Sequence, residues 1–350
     1  MTSKYPRYTA AAVQAAPVWM NTQATVEKAC QLIKEAAANG ARLIAFPEVY
    51  IPAYPYWSWV MTPFEGSRFF CELYKQSILV PGEETQRLCD AARANRCYVV
   101  MGVNERSPIS MGTMYNTNLV IGPDGKLLGA HRKLVPTFAE KLSWGNGDGS
   151  TLRTYETDIG RLGTLCCGEN TNTLARFALL AQGEQVHVAN FPGFPFTPLL
   201  SITEAIKIRC AAHALEGKVF VVVSSSAMSD EIVDSVCTTD EQRKHMNCRP
   251  ASISVIYGPD GQPVSEPLID KEGIVYGEID IEREIEYKQF HDIIGHYNRF
   301  DVFSLRINRR QNQPLSAEPF GQSFGEVLPV EGPVGVPTTP AIADEPTSSR

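Results

Sequence analysis

The chain has 350 residues, 43% of them hydrophobic and 20% charged, which is ordinary for a globular enzyme. A formal net charge of −7 disfavours nucleic acid as a partner, because the phosphate backbone selects basic surfaces. Nine cysteines are an odd number without zinc-ligand spacing, so the sequence predicts neither a disulfide framework nor a metal site. It has no leader pattern and no membrane-spanning apolar run, and we expect a reduced, cytoplasmic protein that does not contact membranes.

Strands and helices alternate from the N-terminus. Residues 8–18 predict a strand buried on both faces, and a helix follows from a cap at Thr22 to Asn39-Gly40. Residues 42–46 predict the next strand, which ends just before Glu48. An irregular segment rich in aromatic residues and proline comes next, and we expect it to form the wall of a pocket.

The middle of the chain predicts a helix over 83–95, a strand over 97–103 and a hairpin made of 115–121 and 127–132. The hairpin turn is Gly122-Pro123-Asp124-Gly125, in which proline fixes φ and glycine supplies a positive φ. The same four residues recur at 258–261. This repetition indicates two similar halves packed together.

The second half continues the alternation. Residues 157–165 predict a strand, and the spacing of apolar residues from 174 to 181 predicts a helix capped by Thr171 or Asn172 and closed by Gly183. Further strands are predicted over 186–191, 219–224 and 274–281, with a helix over 199–216. Residues 225–250 lack periodicity and predict a long loop, and the proline-rich tail from about 311 is expected to be disordered or ordered by a neighbouring subunit.

Cys167 lies where the strand over 157–165 passes into the helix that follows. A thiol on such a turn projects from the backbone, and we expect the helix N-terminus to favour its ionised form. A free thiol is mostly protonated at pH 7, so a cysteine nucleophile needs such help. Most cysteines are instead small buried hydrophobic residues, and that reading stays open for this stretch when the residue is taken alone.

A thiolate nucleophile also needs a base and a donor for the negative charge that develops on the substrate. Glu48, at the end of a buried strand, and Lys133, at the end of the hairpin, are candidates for these roles. Glu140 precedes a glycine-rich loop, residues 144–150, whose glycines permit close backbone approach. A Cys-His pair is the alternative, with His131, His187 or His213 as the base, but none of the three stands in a local motif.

Four motifs in this order resemble the nitrilases of the carbon–nitrogen hydrolase superfamily. They are Phe46-Pro47-Glu48 with the aromatic segment, His131-Arg132-Lys133 with Glu140 and the loop 144–150, Gly163 to Glu169, and Gly295-His296-Tyr297-Asn298-Arg299. The resemblance spans roughly residues 8–305. It implies a four-layer α-β-β-α sandwich with one hydrolase domain over 1–310, and a separate tail over 311–350.

The resemblance also implies a catalytic set of Glu48, Lys133 and Cys167, with Glu140 as a second glutamate. It selects Cys167 over Cys166 and implies homo-oligomers that are built from dimers and extend in some members into spirals. The predicted substrate-binding residues are Tyr54 and Trp57 in the aromatic segment, and Gly168 and Asn170 beside the nucleophile. Nitrilases usually have Trp where this chain has Gly168, so we expect a larger or reshaped pocket.

The function implied is hydrolysis of a small organic nitrile to a carboxylic acid and ammonia, without metal or organic cofactor. Three alternatives remain open from the sequence. The same residues serve amidases and carbamoylases, and a hydratase would release the amide, including from cyanide. A thiol sensor or scaffold protein, finally, would use Cys166-Cys167 without any need of Glu48 and Lys133.

Overall fold

A computed structural model of the chain describes residues 5–196 and 201–313. The strands are β1 (Arg7–Gln14), β2 (Ala41–Ala45), β3 (Tyr98–Arg106), β4 (Met114–Ile121), β5 (Leu127–Arg132), β6 (Leu162–Cys166), β7 (Val186–Phe191), β8 (Phe220–Ser225), β9 (Ile253–Tyr257), β10 (Leu268–Ile269) and β11 (Gly273–Asp280). The helices are α1 (Thr22–Ala38), α2 (Ser67–Gln76), α3 (Glu83–Asn95), α4 (Thr173–Leu180), α5 (Ile202–Gly217), α6 (Asp230–Val236), α7 (Asp240–Met246) and α8 (Arg283–Lys288).

The strands form two sheets, ordered β11-β1-β2-β3-β4-β5 and β10-β9-β8-β7-β6. One face of the first sheet packs on α1 and α3 through a core that includes Ile33, Ile44 and Leu88. Its other face packs on the second sheet, where Leu43 and Val222 share a core. The second sheet in turn buries α5 against β7 to β9. The layers are therefore helix, sheet, sheet and helix, which confirms the predicted sandwich.

The repeated turn supports two similar halves. Gly125 and Gly261 both have positive φ, +78° and +74°, as the turn sequence predicts. A side chain at Gly125 would meet the carbonyl oxygen of Cys89 on α3, and one at Gly261 would meet that of Ala211 on α5. Each turn thus lies against the helix that covers its own sheet.

Some predicted boundaries were wrong. The cap of α1 is Asn21, whose side chain accepts from the Ala24 amide, and not Thr22, which is already helical. The predicted strand over 8–18 ends at Gln14, and the one over 157–165 begins only at Leu162. The first residues of the segment that was predicted as a strand over 157–165 form the turn around Gly160, whose φ is +109°.

The predicted loop over 225–250 is also wrong, because this segment holds α6 and α7. Each helix is only 7 residues long, too short for a visible apolar period, and each begins at a side-chain cap, Ser229 or Thr239. No helix among residues 5–196 and 201–313 has the length and apolar character needed to span a membrane. The predicted tail from 311 falls almost wholly outside the described residues.

Candidate active site

Topology brings three chain segments to one edge of the molecule. β2 and β3 are parallel, β4 runs antiparallel to β3, and β5 antiparallel to β4, so β2 and β5 end at the same edge of the first sheet. Glu48 follows β2 and Lys133 follows β5. The Glu48 amide donates to the carbonyl of Phe191, the last residue of β7, at 3.3 Å, which joins this edge to the second sheet.

The backbone at Glu48 is held closely. A side chain at Gly102 of β3 would lie 2.2 Å from the Pro47 carbonyl oxygen and 2.8 Å from the Glu48 Cα, so only glycine fits there. The next residue, Val49, has a φ of +45° although it is β-branched and fully buried. Such backbone strain persists where the surrounding structure imposes it, and it often marks a functional site.

The glycine-rich loop secures Lys133 through a close backbone approach of the kind that its glycines permit. The Gly147 amide donates to the Lys133 carbonyl at 2.8 Å, and a side chain at Gly147 would lie 2.2 Å from the Arg132 carbonyl oxygen. From the other side the Lys133 amide donates to the Asn116 carbonyl on β4 at 2.8 Å. The lysine backbone is therefore fixed between a strand and a loop.

Glu140 lies on the short 3-10 helix Phe138–Leu142. Its Oε2 accepts from the Thr137 amide at 2.7 Å in a capping box, and from Lys133 Nζ at 2.6 Å. Its Oε1 accepts from the Tyr54 hydroxyl at 2.8 Å. The carboxylate thus links the lysine to the aromatic segment.

Cys167 begins a 3-10 helix, Cys167–Thr171, directly after β6, and Asn172 caps α4 as one of the two predicted candidates. This 3-10 helix is the turn that was predicted between the strand and the helix. Cys167 has a φ of +44°, which projects the residue from a strained turn. The Glu169 carboxylate braces the turn by accepting from the amides of Cys166 (2.9 Å) and Leu134 (2.8 Å).

The four predicted catalytic side chains meet in one buried cluster. A carboxylate oxygen of Glu48, one of Glu140 and Cys167 Sγ all lie within 4.8 Å of one another. Lys133 Nζ donates to Glu48 Oε1 at 2.8 Å as well as to Glu140. Two carboxylates and one ammonium leave a formal charge of −1 on the cluster when the thiol is neutral.

Hydrogen bonds distinguish the two oxygens of Glu48. Oε1 accepts from Lys133 and from the Asn116 side-chain amide at 2.6 Å. Oε2 is buried and has no hydrogen-bond partner within residues 5–196 and 201–313. The structure therefore presents one unpaired carboxylate oxygen inside the cluster that contains the thiol.

Electrostatics separate the roles of these groups. Burial raises the pKa of Glu48 to about 7, against the opposing pull of Lys133. Burial works to lower the pKa of Lys133, but Glu140 and Glu48 outweigh it and hold that pKa well above its ordinary value. Burial and the Glu48 charge raise the pKa of the Cys167 thiol, contrary to the predicted effect of the helix. The thiol is consequently neutral at rest and needs a base.

Comparison with known proteins agrees with this geometry. Residues 9–289 match the sequence model of the carbon–nitrogen hydrolase family. This chain belongs to the carbon–nitrogen hydrolase family. It is 41% identical over 312 residues to an aliphatic nitrilase of Rhodococcus rhodochrous, covering 87% of this chain and 84% of that protein. It is 39% identical over 331 residues to a nitrilase of Bacillus sp. OxB-1, covering 94% and 96%.

A cyanide hydratase of Botryotinia fuckeliana is 36% identical over 326 residues, covering 90% of this chain and 86% of that protein. Among solved structures, a carbon–nitrogen hydrolase from Helicobacter pylori G27 superposes with a TM-score of 0.65 at 19% identity, covering 81% of this chain and 92% of the other. This hydrolase therefore shares the family fold, and it acts on carbon–nitrogen bonds.

The predicted substrate-binding residues of the hydrolase fall in different places. Tyr54 lies at the cluster, through its bond to Glu140. Trp57 instead stacks on Phe69 of α2 with ring centroids 5.4 Å apart, and borders a cavity of about 250 Å³. Gly168 borders another cavity, of about 290 Å³, and a side chain there would lie 2.9 Å from the Thr137 hydroxyl.

Asn170 is buried behind the turn. Its amide nitrogen donates to the carbonyls of Leu165 and Cys167, both at 3.1 Å, and its oxygen faces His187 Nε2 at 2.7 Å. The predicted alternative bases lie in other networks. His131 faces Glu169, while His187 and His213 both face Glu184. A Cys-His pair is not what the structure assembles among the described residues.

Sequence reasoning missed two contributors. Asn116 orients Glu48, and its signal was one of two amide side chains, with Asn118, on one buried face of β4. Trp59 donates to the Tyr54 hydroxyl at 3.0 Å and contacts Phe194 and Phe196, at centroid distances of 4.7 and 5.5 Å. Trp59 rather than Trp57 therefore connects the aromatic segment to the catalytic cluster.

Among residues 5–196 and 201–313, two groups of side chains have donor atoms close enough for a metal ion, the catalytic cluster and Glu184 with His187 and His213. In the first, Lys133 already supplies the cation between two carboxylates. In the second, Glu184 is hydrogen-bonded to both imidazoles, at 2.6 and 3.0 Å. Hydrogen bonds and ion pairs account for the geometry of both groups without a metal ion.

Proposed function

We propose that this hydrolase converts an organic nitrile to the carboxylic acid and ammonia, with Cys167 as the nucleophile and Glu48 as the base. The Oε2 of Glu48 carries the proposal, because Glu48 belongs to the thiol's cluster and this oxygen has no hydrogen-bond partner among the described residues, which leaves it free to take a proton. A pKa of about 7 suits a general base that works near neutral pH. The nitrilase relatives support the substrate class.

The reaction follows from these positions. Glu48 takes the thiol proton as Cys167 sulfur attacks the nitrile carbon, and then gives that proton to the nitrile nitrogen, which forms a thioimidate and leaves Glu48 ionised again. Water activated by Glu48 adds to that carbon, and ammonia leaves to give a thioester. A second water then releases the acid and restores the thiol. Lys133, charged because its pKa is raised, stabilises the negative charge that develops on the substrate nitrogen.

Glu140 acts in this proposal by holding Lys133, since it accepts from Nζ at 2.6 Å. Tyr54, Gly168 and the aromatic residues around Trp59 form the substrate pocket. If the tetrahedral intermediate expels the thiol instead of ammonia, the product is the amide. The cyanide hydratase relative makes amide release the second candidate.

The decisive test measures acid, amide and ammonia from aliphatic and aromatic nitriles, cyanide and the matching amides. We expect acid and ammonia from nitriles, and no turnover by Cys167→Ala. Cys166→Ala is the matched control, because Cys166 is the neighbouring residue at the end of β6 and is also buried. Hydrolysis of amides but not nitriles would contradict the substrate class, and an active Cys167→Ala enzyme would contradict the site.

Three further features belong to the proposal. The family match over 9–289 supports one hydrolase domain over 1–310. All nine cysteines lie in the described residues as free thiols, which fits a reducing cytoplasm. Exposed apolar side chains on α4 and α5, Leu174, Ile208 and Leu215, support pairing of two subunits through these helices.

A further inference from the structure

A second buried polar chain lies behind the nucleophile turn. Glu184 Oε1 faces His187 Nδ1 at 2.6 Å, and His187 Nε2 faces Asn170 Oδ1 at 2.7 Å. The Asn170 amide nitrogen bonds the carbonyls of Leu165 and Cys167. Glu184, His187 and Asn170 are each at most 2% exposed. These hydrogen bonds therefore connect the Glu184 carboxylate to the Cys167 carbonyl through side chains that are shielded from solvent.

The orientation of the Asn170 amide follows from its neighbours. The two backbone carbonyls can only accept hydrogen bonds, so the NH₂ group must face them. A reversed amide would place its oxygen against both carbonyls, where acceptor would face acceptor and no hydrogen bond could form. Asn170 Oδ1 therefore points at His187, as the distances show.

This orientation determines the protons on His187. Its Nδ1 faces a carboxylate oxygen and its Nε2 faces an amide oxygen, and neither of these can donate. Both contacts are hydrogen bonds only when each ring nitrogen carries a proton. The imidazole is then a cation beside the Glu184 carboxylate, and the pair is formally neutral.

Space for this pair is built into the sequence. A side chain at Gly163 of β6 would lie 1.7 Å from Glu184 Oε1, so β6 leaves room for the carboxylate only with glycine there. His213 on α5 faces the other oxygen, Oε2, at 3.0 Å. His213 also packs edge-on against the His187 ring, with centroids 4.4 Å apart, but among the described residues its imidazole is hydrogen-bonded to Glu184 and not to Asn170.

The hydrogen bonds from Glu184 through His187 and Asn170 end at Cys167, a residue with a strained backbone. A non-glycine residue at a φ of +44° is strained, so contacts around Cys167 must hold it in that conformation. The Cys167 carbonyl belongs to the peptide unit that carries the Gly168 N–H. A hydrogen bond to the carbonyl polarises that unit and strengthens its N–H as a donor.

We propose that Glu184, His187 and Asn170 are positioning residues that hold Cys167 in its reactive conformation through a doubly protonated His187. The proposal rests on Cys167 being the nucleophile of the proposed function. None of the three residues touches the substrate, and each acts through the turn.

The test compares His187→Gln with His213→Gln, two neutral replacements in one buried cluster. Misplacing a nucleophile by about 1 Å costs roughly 10²-fold in rate, so we expect His187→Gln to lose 10- to 100-fold in kcat with KM changed less than about threefold. We expect His213→Gln to keep kcat within about threefold at a similar loss of thermal stability. Equal losses of kcat in both variants would overturn the proposal.

A second readout is independent of the nitrile reaction. The rate of Cys167 alkylation by iodoacetamide, followed by mass spectrometry of its peptide, should fall in His187→Gln and in Asn170→Asp, but not in His213→Gln. Asn170→Asp keeps an oxygen towards His187 and removes both donors to the carbonyls. If the native enzyme turned over no nitrile, the proposed function would fail, while these alkylation rates would still test the positioning role.

The charge state has its own measurement. Only six histidines are present, so ¹⁵N NMR of histidine-labelled native enzyme, assigned with His187→Gln, can identify the His187 resonances. We expect both ring nitrogens to show protonated shifts at pH 7. A neutral tautomer would overturn the doubly protonated state on which the proposal depends.

Discussion

Two buried glutamates flank the nucleophile turn, and their chemistry is opposite. Glu48 is inaccessible and Glu184 nearly so, yet burial raises the pKa of Glu48 to about 7, whereas that of Glu184 is lowered to about 2. At Glu184 burial also acts to raise the pKa, but the two histidines outweigh it, and both oxygens have partners. Glu48 shares one lysine with Glu140 and keeps Oε2 unpaired.

This difference in hydrogen bonding distinguishes a buried carboxylate that can react from one that stabilises the fold. A buried carboxylate with all its hydrogen bonds made stabilises structure, while one left partly unpaired is held ready for a proton. Glu169 follows the first pattern, since it accepts from His131 and two backbone amides and its pKa is lowered by these contacts against the effect of burial. In the described part of the chain, Glu48 is the carboxylate that combines an oxygen without a hydrogen-bond partner with a place in the cluster of the thiol.

The largest effect is expected from Glu48→Gln. Loss of a general base costs about 10²–10⁴-fold, so we expect kcat/KM for a nitrile to fall by that range. Stability at pH 7.5 should stay equal or rise, because a carboxyl with a raised pKa destabilises the folded state once it ionises, and Lys133 keeps Glu140 as its partner. Kinetics test the expected fall in kcat/KM, and calorimetry tests the expected stability. A large fall in Tm would contradict the contrast drawn between Glu48 and Glu184.

Glu184→Gln should give the reverse pattern in stability. Removing one partner of a buried ion pair costs about 3–5 kcal/mol, because His187 would be left as an unpaired buried charge. We expect that loss in denaturant unfolding at pH 7. The native Glu184, whose pKa is lowered, contributes stability above pH about 4.5 that is lost as pH falls towards 2, so the difference between native and variant should shrink over that window. A constant difference would contradict the assignment.

The pH profile is the next smaller effect. Glu48 acts as a base only when ionised, so kcat/KM should fall as pH decreases through about 7, approaching tenfold per unit below it. The measurement is kcat/KM against pH at constant ionic strength, since that ratio reports the free enzyme. A profile that stayed flat down to pH 5 would show that Glu48 is not the group that controls the rate.

The sequence carried the residue types of this site but not its hydrogen bonds. Cys167, Glu48, Lys133 and Glu140 stand at strand ends and in motifs, where a local pattern indicates function. The unpaired oxygen depends on Asn116, which lies 68 residues from Glu48 along the chain, and no local pattern reveals that contact.

The fold was predictable to a similar extent. Long periodic elements such as α3 and the hairpin of β4 and β5 were predicted within a residue of their observed bounds. The short helices α6 and α7 were missed because their signal lies in caps such as Thr239 and its capping-box partner Gln242, and not in apolar spacing.

The smallest predicted effect isolates the hydrogen bonds of Glu48. Asn116→Leu removes one of two donors to Oε1, which favours the neutral carboxyl, so the pKa of Glu48 and the acidic limb of kcat/KM should move up by about one unit. Asn118→Leu is the matched control on the same face of β4, because Asn118 bonds Thr164 and Asn190 and not Glu48. Both variants should lose stability, and only the first should shift the limb. Equal shifts in both would mean that general loosening of the strand, rather than the donor count on one carboxylate oxygen, sets the difference between Glu48 and Glu184.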